Sequence, residues 1–104
     1  MTKEYTFGTY HFKLEINKVD NDWYEWKVNL NEPSQLLAKI ERVEYILHPT
    51  YKNRIKVVKS PANGFMLEFA GYDGFNMPVN IYLKELDANG DNEEFNLIFP
   101  VETK

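Results

Sequence analysis

The regular alternation of apolar and polar residues constrains the fold of this chain more than any other feature. Side chains of a β-strand point alternately to the two faces of a sheet, so a half-buried strand shows a period of two residues. This period occurs in seven segments, near residues 10–16, 24–30, 43–48, 54–59, 65–70, 75–83 and 95–101. Aromatic residues, which favour strands, make up 15% of the chain. The sequence therefore predicts an all-β protein.

Segments rich in turn-forming residues separate these strands. They include Val19–Asp22, Asn31–Ser34, Ser60–Gly64 and Gly71–Gly74. Turns that recur about every 8–12 residues are typical of a β-sandwich. The expected fold is an immunoglobulin-like β-sandwich of seven to eight antiparallel strands. A length of 104 residues fits one domain, so we expect a single domain over residues 1–104.

Three local features refine this expectation. Residues 34–42 are compatible with a short helix of a turn or two, with Ser34 as its N-cap. Pro78 lies within the predicted strand 75–83, and because proline cannot donate a hydrogen bond to a sheet, we expect an edge or a bulge there. Trp26 lies on the apolar face of its strand, and we expect it to be buried in the core.

Charge and composition exclude several classes of protein. A net charge of −4, with only Arg42 and Arg54 as arginines, argues against a nucleic-acid partner, since such partners are bound through Lys and Arg. The lack of cysteine excludes disulfides, thiol catalysis and zinc–thiolate sites. No apolar run approaches the ~20 residues that a membrane-spanning helix needs, so no membrane insertion is expected. The expected location is the cytoplasm.

Few residues could carry catalysis. The chain has two histidines, His11 and His48, and two serines, Ser34 and Ser60. Neither serine lies in a nucleophile elbow, and no glycine motif for phosphate or dinucleotide binding is present. We therefore expect a protein that is not an enzyme and that uses no cofactor.

One segment partly matches a calcium loop. Asp87, Asn89 and Asp91 occupy the first three ligand positions of an EF-hand loop. However, Asn92 stands where that loop needs a glycine, and Ile98 where it needs the bidentate glutamate. Residues 87–92 are instead expected to form a hairpin turn around the Asn-Gly pair, and no metal site is expected.

Two loops at the ends of apolar strands are the best candidates for a binding site. One contains His48, Thr50 and Tyr51, and the other is Gly71–Phe75. Loops at one end of a sandwich are where such folds place binding sites. Tyr51 and Tyr72 would offer flat faces to a planar group, while the Thr50 hydroxyl and loop N–H groups bond to its polar atoms.

The same residues also allow a structural interpretation. His48 would then be a histidine hydrogen-bonded inside the sheet, and the two tyrosines would half-cover the core with their hydroxyls in water. Gly71 and Gly74 favour the binding interpretation, because glycine lets the backbone turn sharply and approach a ligand closely.

Four segments resemble motifs of the YEATS family. Val43–Tyr51 is similar to a strand that ends in Leu-His-x-Ser/Thr-aromatic, and Gly71–Phe75 is similar to the family's Gly-aromatic-x-x-Phe loop. Pro78–Leu83 resembles the strand after that loop. Asp22–Val28 resembles the tryptophan-bearing strand, in the form typical of the prokaryotic branch. The resemblance extends from about residue 10 to residue 101.

The resemblance implies an immunoglobulin-like sandwich that binds an acylated or otherwise modified lysine on a protein partner and is not an enzyme. Eukaryotic members read acetyl- and crotonyl-lysine by placing the acyl amide between two aromatic rings, which match Tyr51 and Tyr72 here. The family's histidine and hydroxyl residue match His48 and Thr50. The ligand-binding residues so implied are His48, Thr50, Tyr51, Gly71, Tyr72, Asp73, Gly74 and Phe75.

Two of the candidate binding residues depart from the family pattern, and an alternative function stays open. Tyr51 stands where phenylalanine is usual, which adds a hydroxyl at the pocket wall. Asp73 replaces a small residue, and its carboxylate would narrow the open end of the pocket. The alternative is a docking or sensor domain of a bacterial signalling protein that does not recognise a modified lysine. An open slot between Tyr51 and Tyr72 would favour lysine recognition, and a filled slot would favour docking.

Overall fold

Eight antiparallel strands form two four-stranded sheets in a computed structural model that describes all residues, 1–104. Sheet A has the strand order β1-β2-β3-β6, and sheet B has the order β5-β4-β7-β8. The all-β sandwich predicted from the alternation is confirmed. The elements are β1 Thr2–Phe7, β2 Tyr10–Lys18, β3 Tyr24–Leu30, α1 Ser34–Leu37, β4 Ile40–Ile46, β5 Ile55–Val58, β6 Leu67–Gly71, β7 Phe75–Leu86 and β8 Asn92–Val101.

The core lies between the two sheets and is entirely apolar. Eighteen buried residues form one cluster, to which both sheets contribute the inward positions of their alternating strands. Trp26 is 1% exposed, so its predicted place in the core is confirmed. Its indole N–H donates to the main-chain oxygen of Glu102, at 2.9 Å, so this buried polar atom is satisfied.

Strand β1 was not predicted from the sequence. Its half-buried positions alternate as in the other strands, but one of them is Lys3 and only Tyr5 and Phe7 are apolar. Lys3 is accommodated because its ammonium donates to the Glu102 carboxylate at 2.9 Å, and the Tyr5 hydroxyl donates to the same carboxylate. This polar cluster joins β1 to the segment that follows β8.

Pro78 is accommodated in a way that the sequence prediction did not specify. Strand β7 is an inner strand, between β4 and β8, so it is not an edge of the sheet. Its pairing with β4 ends at Val79, however, and Pro78 is paired only with Ile98 of β8. The irregularity of register in the β7–β8 ladder lies elsewhere, between Tyr82 and Leu86. Pro78 therefore needs no bulge, because one side of it is locally unpaired.

The helix α1 is a single turn. Its N-cap is Pro33, in an extended conformation, and no side chain caps the helix. Ser34 is already the first helical residue, so its predicted role as N-cap was wrong. Strand β4 begins at Ile40, which leaves no room for a second turn. This helix is not long enough to cross a membrane.

The loop before β6 is fixed to both sheets. The carbonyl of Gly64 accepts a hydrogen bond from the Leu30 N–H in sheet A, and the carbonyl of Phe65 accepts one from the Tyr45 hydroxyl in sheet B. Phe65 is fully buried with a φ of +55°, which is a strained conformation for an aromatic residue. A strand cannot include this φ, so β6 begins at Leu67 and not at the predicted residue 65.

The β7–β8 turn is a hairpin turn, as predicted. Gly90 adopts a φ of +83°. The Asp87 carboxylate accepts hydrogen bonds from the N–H groups of Asn89 and Asp91, at 2.8 and 3.1 Å. One acidic side chain is therefore part of the turn itself. The structure contains no group of three or more His, Asp or Glu side chains suited to a metal ion, and the lack of metal binding stays a prediction.

We predict that the protein loses stability between about pH 10 and pH 12. Burial, with the hydrogen bond to Glu102, raises the pKa of Tyr5 to about 12, and burial also raises the pKa of Tyr10, Tyr45 and Tyr51. The unfolded chain therefore loses its tyrosine protons first, so unfolding releases protons and becomes more favourable as the pH rises.

Urea denaturation at a series of alkaline pH values measures this effect. The free energy of unfolding should be level up to about pH 10 and should then fall. Tyr5→Phe removes one of the shifted groups, so its alkaline decline should be less steep than that of the parent protein. An equal free energy of unfolding at pH 8 and pH 11 would contradict the expectation.

Candidate functional site

One open cavity of about 580 Å³ lies between two connecting loops and the end of a third loop. The connection between β4 and β5 and the loop between β6 and β7 supply most of the lining, and the β2–β3 loop adds Trp23. All eight residues singled out from the sequence line this cavity. The full lining is Trp23, His48, Thr50, Tyr51, Ala70, Gly71, Tyr72, Asp73, Gly74 and Phe75.

His48 and Thr50 form a local hydrogen-bonded pair on one wall. The Thr50 N–H donates to His48 Nδ1 at 3.2 Å, and the Thr50 hydroxyl lies 3.0 Å from the same nitrogen. Because a backbone N–H can only donate, Nδ1 must be an unprotonated acceptor, and the ring proton is on Nε2. The hydroxyl can then donate to Nδ1 while its lone pairs stay free to accept. Both side chains are exposed.

Tyr51 forms the inner wall. Its half-buried ring contacts the rings of Phe69 and Phe75, and its hydroxyl donates to the Ala70 carbonyl at 2.6 Å. Burial raises the pKa of this hydroxyl, which keeps it a neutral donor. The hydroxyl expected to add a polar group at the pocket wall therefore bonds to β6.

The two glycines are needed for packing within the protein. The chain turns between β6 and β7 as expected, but neither Gly71 nor Gly74 has a positive φ, so the turn does not need glycine for a left-handed conformation. A Cβ on Gly71 would lie 2.5 Å from the Tyr51 hydroxyl and 3.2 Å from the Trp26 ring. A Cβ on Gly74 would overlap the Val101 carbonyl. The chain approaches itself closely here, and glycine leaves room for that approach.

Tyr72 and Trp23 form the outer wall. Tyr72 is 65% exposed, and its ring contacts the Trp23 ring edge-on, with centroids 4.7 Å apart at 77°. Tyr51 and Tyr72 line the same cavity without a ring contact between them, so the space between the two walls is open. Trp23 was not among the predicted site residues. Its signal was its place next to the β2–β3 turn, within the tryptophan-bearing motif.

The charge of the cavity comes from one carboxylate. Asp73 is the only acidic residue in the lining, and no lysine or arginine belongs to it. Asp73 is exposed and forms no ion pair. The cavity therefore combines aromatic walls, the Thr50 hydroxyl, the His48 imidazole and one carboxylate.

The sequence matches the model of the prokaryotic YEATS domain family over residues 24–95. This chain belongs to that family. The resemblance noted from the four motifs is confirmed, and the match covers the loops on both sides of the cavity. No curated protein sequence matches this YEATS domain.

Solved YEATS domains share the fold. The yeast Yaf9 YEATS domain bound to H3K27ac is similar with a TM-score of 0.67 and 20% sequence identity, over 89% of this chain and 68% of that chain. The Yaf9 YEATS domain recognizing an H3K122suc peptide is similar with a TM-score of 0.66 and 20% identity, over 89% and 69% of the two chains. At this identity the likeness concerns the fold alone.

We predict that the close contact between Gly71 and Tyr51 couples their effects on the stability of this YEATS domain. Gly71→Ala should destabilise it by about 1–3 kcal/mol, because the new methyl group overlaps the tyrosine hydroxyl. In a Tyr51→Phe background the same change should cost less, with a coupling of at least ~0.5 kcal/mol in a double-mutant cycle.

Urea denaturation of the four proteins of this cycle measures the coupling. A parallel cycle of Gly71→Ala with Tyr82→Phe is the control, since Tyr82 lies on β7 outside the cavity and these changes should be additive. Additive effects of Gly71→Ala and Tyr51→Phe would show that the alanine methyl group is accommodated without the tyrosine.

Proposed function

We propose that this YEATS domain is a non-enzymatic recognition module that binds an acylated lysine of a protein partner in the cavity between Tyr51 and Tyr72. One observation carries the proposal: residues from two separate loops converge on a single open cavity of about 580 Å³, with an exposed aromatic ring at its rim. The alternative, a docking domain that recognises no modified lysine, would be favoured by a filled slot. The open cavity therefore supports lysine recognition.

Aromatic walls suit the amide of an acylated lysine. Acylation removes the charge of the lysine ammonium and leaves a flat, polarisable amide that can stack on a ring face. An unmodified lysine would have to give up its hydration on entering the cavity. Tyr51 is fixed by its hydrogen bond to Ala70, whereas the Tyr72 ring is 65% exposed beside Trp23 and is available to a ligand.

Polar groups in the cavity complement both ends of that amide. The Thr50 hydroxyl has free lone pairs for the amide N–H, because it can direct its own proton to His48 Nδ1. On the opposite loop, the backbone N–H groups of Tyr72 and Asp73 donate to no acceptor within the protein. They are suitable donors for the acyl carbonyl, since an amide oxygen accepts such bonds well.

The single charge of the cavity lining affects which acyl group the cavity would prefer. The Asp73 carboxylate would repel an acyl chain that ends in another carboxylate, and no cation in the lining offsets it. Yaf9 has been solved with both H3K27ac and an H3K122suc peptide. We infer that the present cavity prefers neutral acyl groups, such as acetyl and crotonyl, to succinyl.

Tyr72→Ala tests the proposed site. Loss of the ring should weaken binding of acetyl-lysine peptides by about 2 kcal/mol, or about thirtyfold, because both stacking and buried area are removed. The melting temperature should hardly change, since the ring is 65% exposed. Calorimetric titration with a peptide panel measures the affinity, and Tyr82→Ala, a tyrosine change outside the cavity, is the matched control. Unaltered affinity, or unfolding of Tyr72→Ala, would assign Tyr72 a structural role.

Asp73→Asn tests the charge preference separately. The change keeps the shape of the side chain and removes its charge, so succinyl-lysine peptides should bind about fivefold more tightly, while acetyl-lysine peptides change little. Glu25→Gln, on the outer face of β3, is a control of equal charge change. If Asp73→Asn instead abolishes binding of the best ligand, that ligand is cationic and the inferred preference for a neutral acyl group is wrong.

A further inference from the structure

Strand β5 presents backbone groups that no other part of the protein uses. It is an edge strand of sheet B and pairs only with β4. The Leu47 N–H donates to the Arg54 carbonyl at 2.7 Å, in register with this pairing. Because hydrogen-bonding direction alternates along an antiparallel strand, the backbone groups of Lys56 also point to β4. Those of Ile55 and Val57 therefore point away from the sheet, where nothing pairs with them.

The same two residues expose apolar side chains. Ile55 is 56% exposed and Val57 is 45% exposed, although most apolar residues of the strands are buried. Ile55 lies opposite Ile46 on the outer face of sheet B, and on the same face Pro78 lies opposite Ile98, which is 56% exposed. An apolar row thus runs across the outer face of sheet B and ends at the open edge of β5.

The charge around this edge is positive, in contrast to the protein as a whole. Residues 52–59 contain four of the 12 basic residues and no acidic one, whereas the net charge of the chain is −4. They are Lys52, Arg54, Lys56 and Lys59. The first three form no ion pair. Pairing of β5 with a second copy of itself would bring these cations together, so the charge selects against that occupant and for a negatively charged one.

We propose that β5 is a docking edge for an extended acidic segment of a partner protein, which adds to sheet B as a fifth strand. Its backbone would bond to the outward-facing groups of Ile55 and Val57. Alternate side chains of the segment would be apolar and would continue the apolar row, and those between them would be Asp or Glu, near the four basic residues. None of the β5 residues lines the cavity, so this surface is distinct from the proposed acyl-lysine site.

The test uses a capped synthetic peptide in which glutamate alternates with valine, titrated into the isotopically labelled protein. Amide signals of Ile55 and Val57 should shift and become protected from hydrogen exchange, and the affinity should fall as salt is added. Arg54→Glu should weaken binding about tenfold, while Lys84→Glu, an equal charge change at an exposed position of β7, should have little effect. Tyr72→Ala should leave this binding intact, which separates it from recognition in the cavity.

Two further peptides distinguish strand addition from simple attraction between charges. A peptide with N-methyl groups on its bonding edge keeps the charge but cannot donate, so it should not bind. A lysine–valine peptide should not bind either, because its charge is of the wrong sign. Absence of binding by the glutamate–valine peptide would overturn the proposal. So would equal binding of the N-methylated peptide, or of single-stranded DNA or anionic vesicles without protection at Ile55 and Val57.

Discussion

The buried indole of Trp26 is the contact on which the core and the candidate site both depend. Its N–H bonds to the main-chain oxygen of Glu102 after β8, so a residue of sheet A is tied to the end of sheet B. Its ring packs against Phe69, at 5.3 Å between centroids, and limits the space beside Gly71. Phe69 in turn contacts Tyr51 and Phe75. A continuous series of aromatic contacts therefore supports the cavity from the core.

This support gives the two aromatic walls of the cavity different properties. Tyr51 is fixed by a hydroxyl bond to Ala70, by neighbouring rings and by the space that Gly71 leaves open. Tyr72 is exposed, and its one aromatic contact is with Trp23. One wall is preorganised and the other can adjust, an arrangement that would let the proposed site take acyl groups of different length and keep the stacking on its fixed side.

The sequence predicted the features that depend on local periodicity and missed those that depend on contacts between distant residues. Strict alternation of apolar residues specified the strands, because burial of one face requires that period. Strand β1 was missed since Lys3 occupies one of its inward positions and is neutralised by Glu102, about a hundred residues away. Likewise, the resemblance of both loops to motifs of one family indicated that they belong to the same site. The sequence could not explain why position 71 needs a glycine, because that need depends on where the Tyr51 hydroxyl lies in the folded protein.

The cavity and the β5 edge also differ in charge. The net charge of the chain hides this difference, because the two surfaces carry local charges of opposite sign. A value of −4 argues against a general polyanion-binding protein, yet it averages the carboxylate at the cavity with the basic residues around β5. At the ionic strength of a cell, exposed charges act over roughly 8 Å, so each surface responds to its own neighbours more than to the total. The two proposed preferences, for a neutral acyl group at one end of the sandwich and for an acidic strand at its edge, are therefore compatible in one protein.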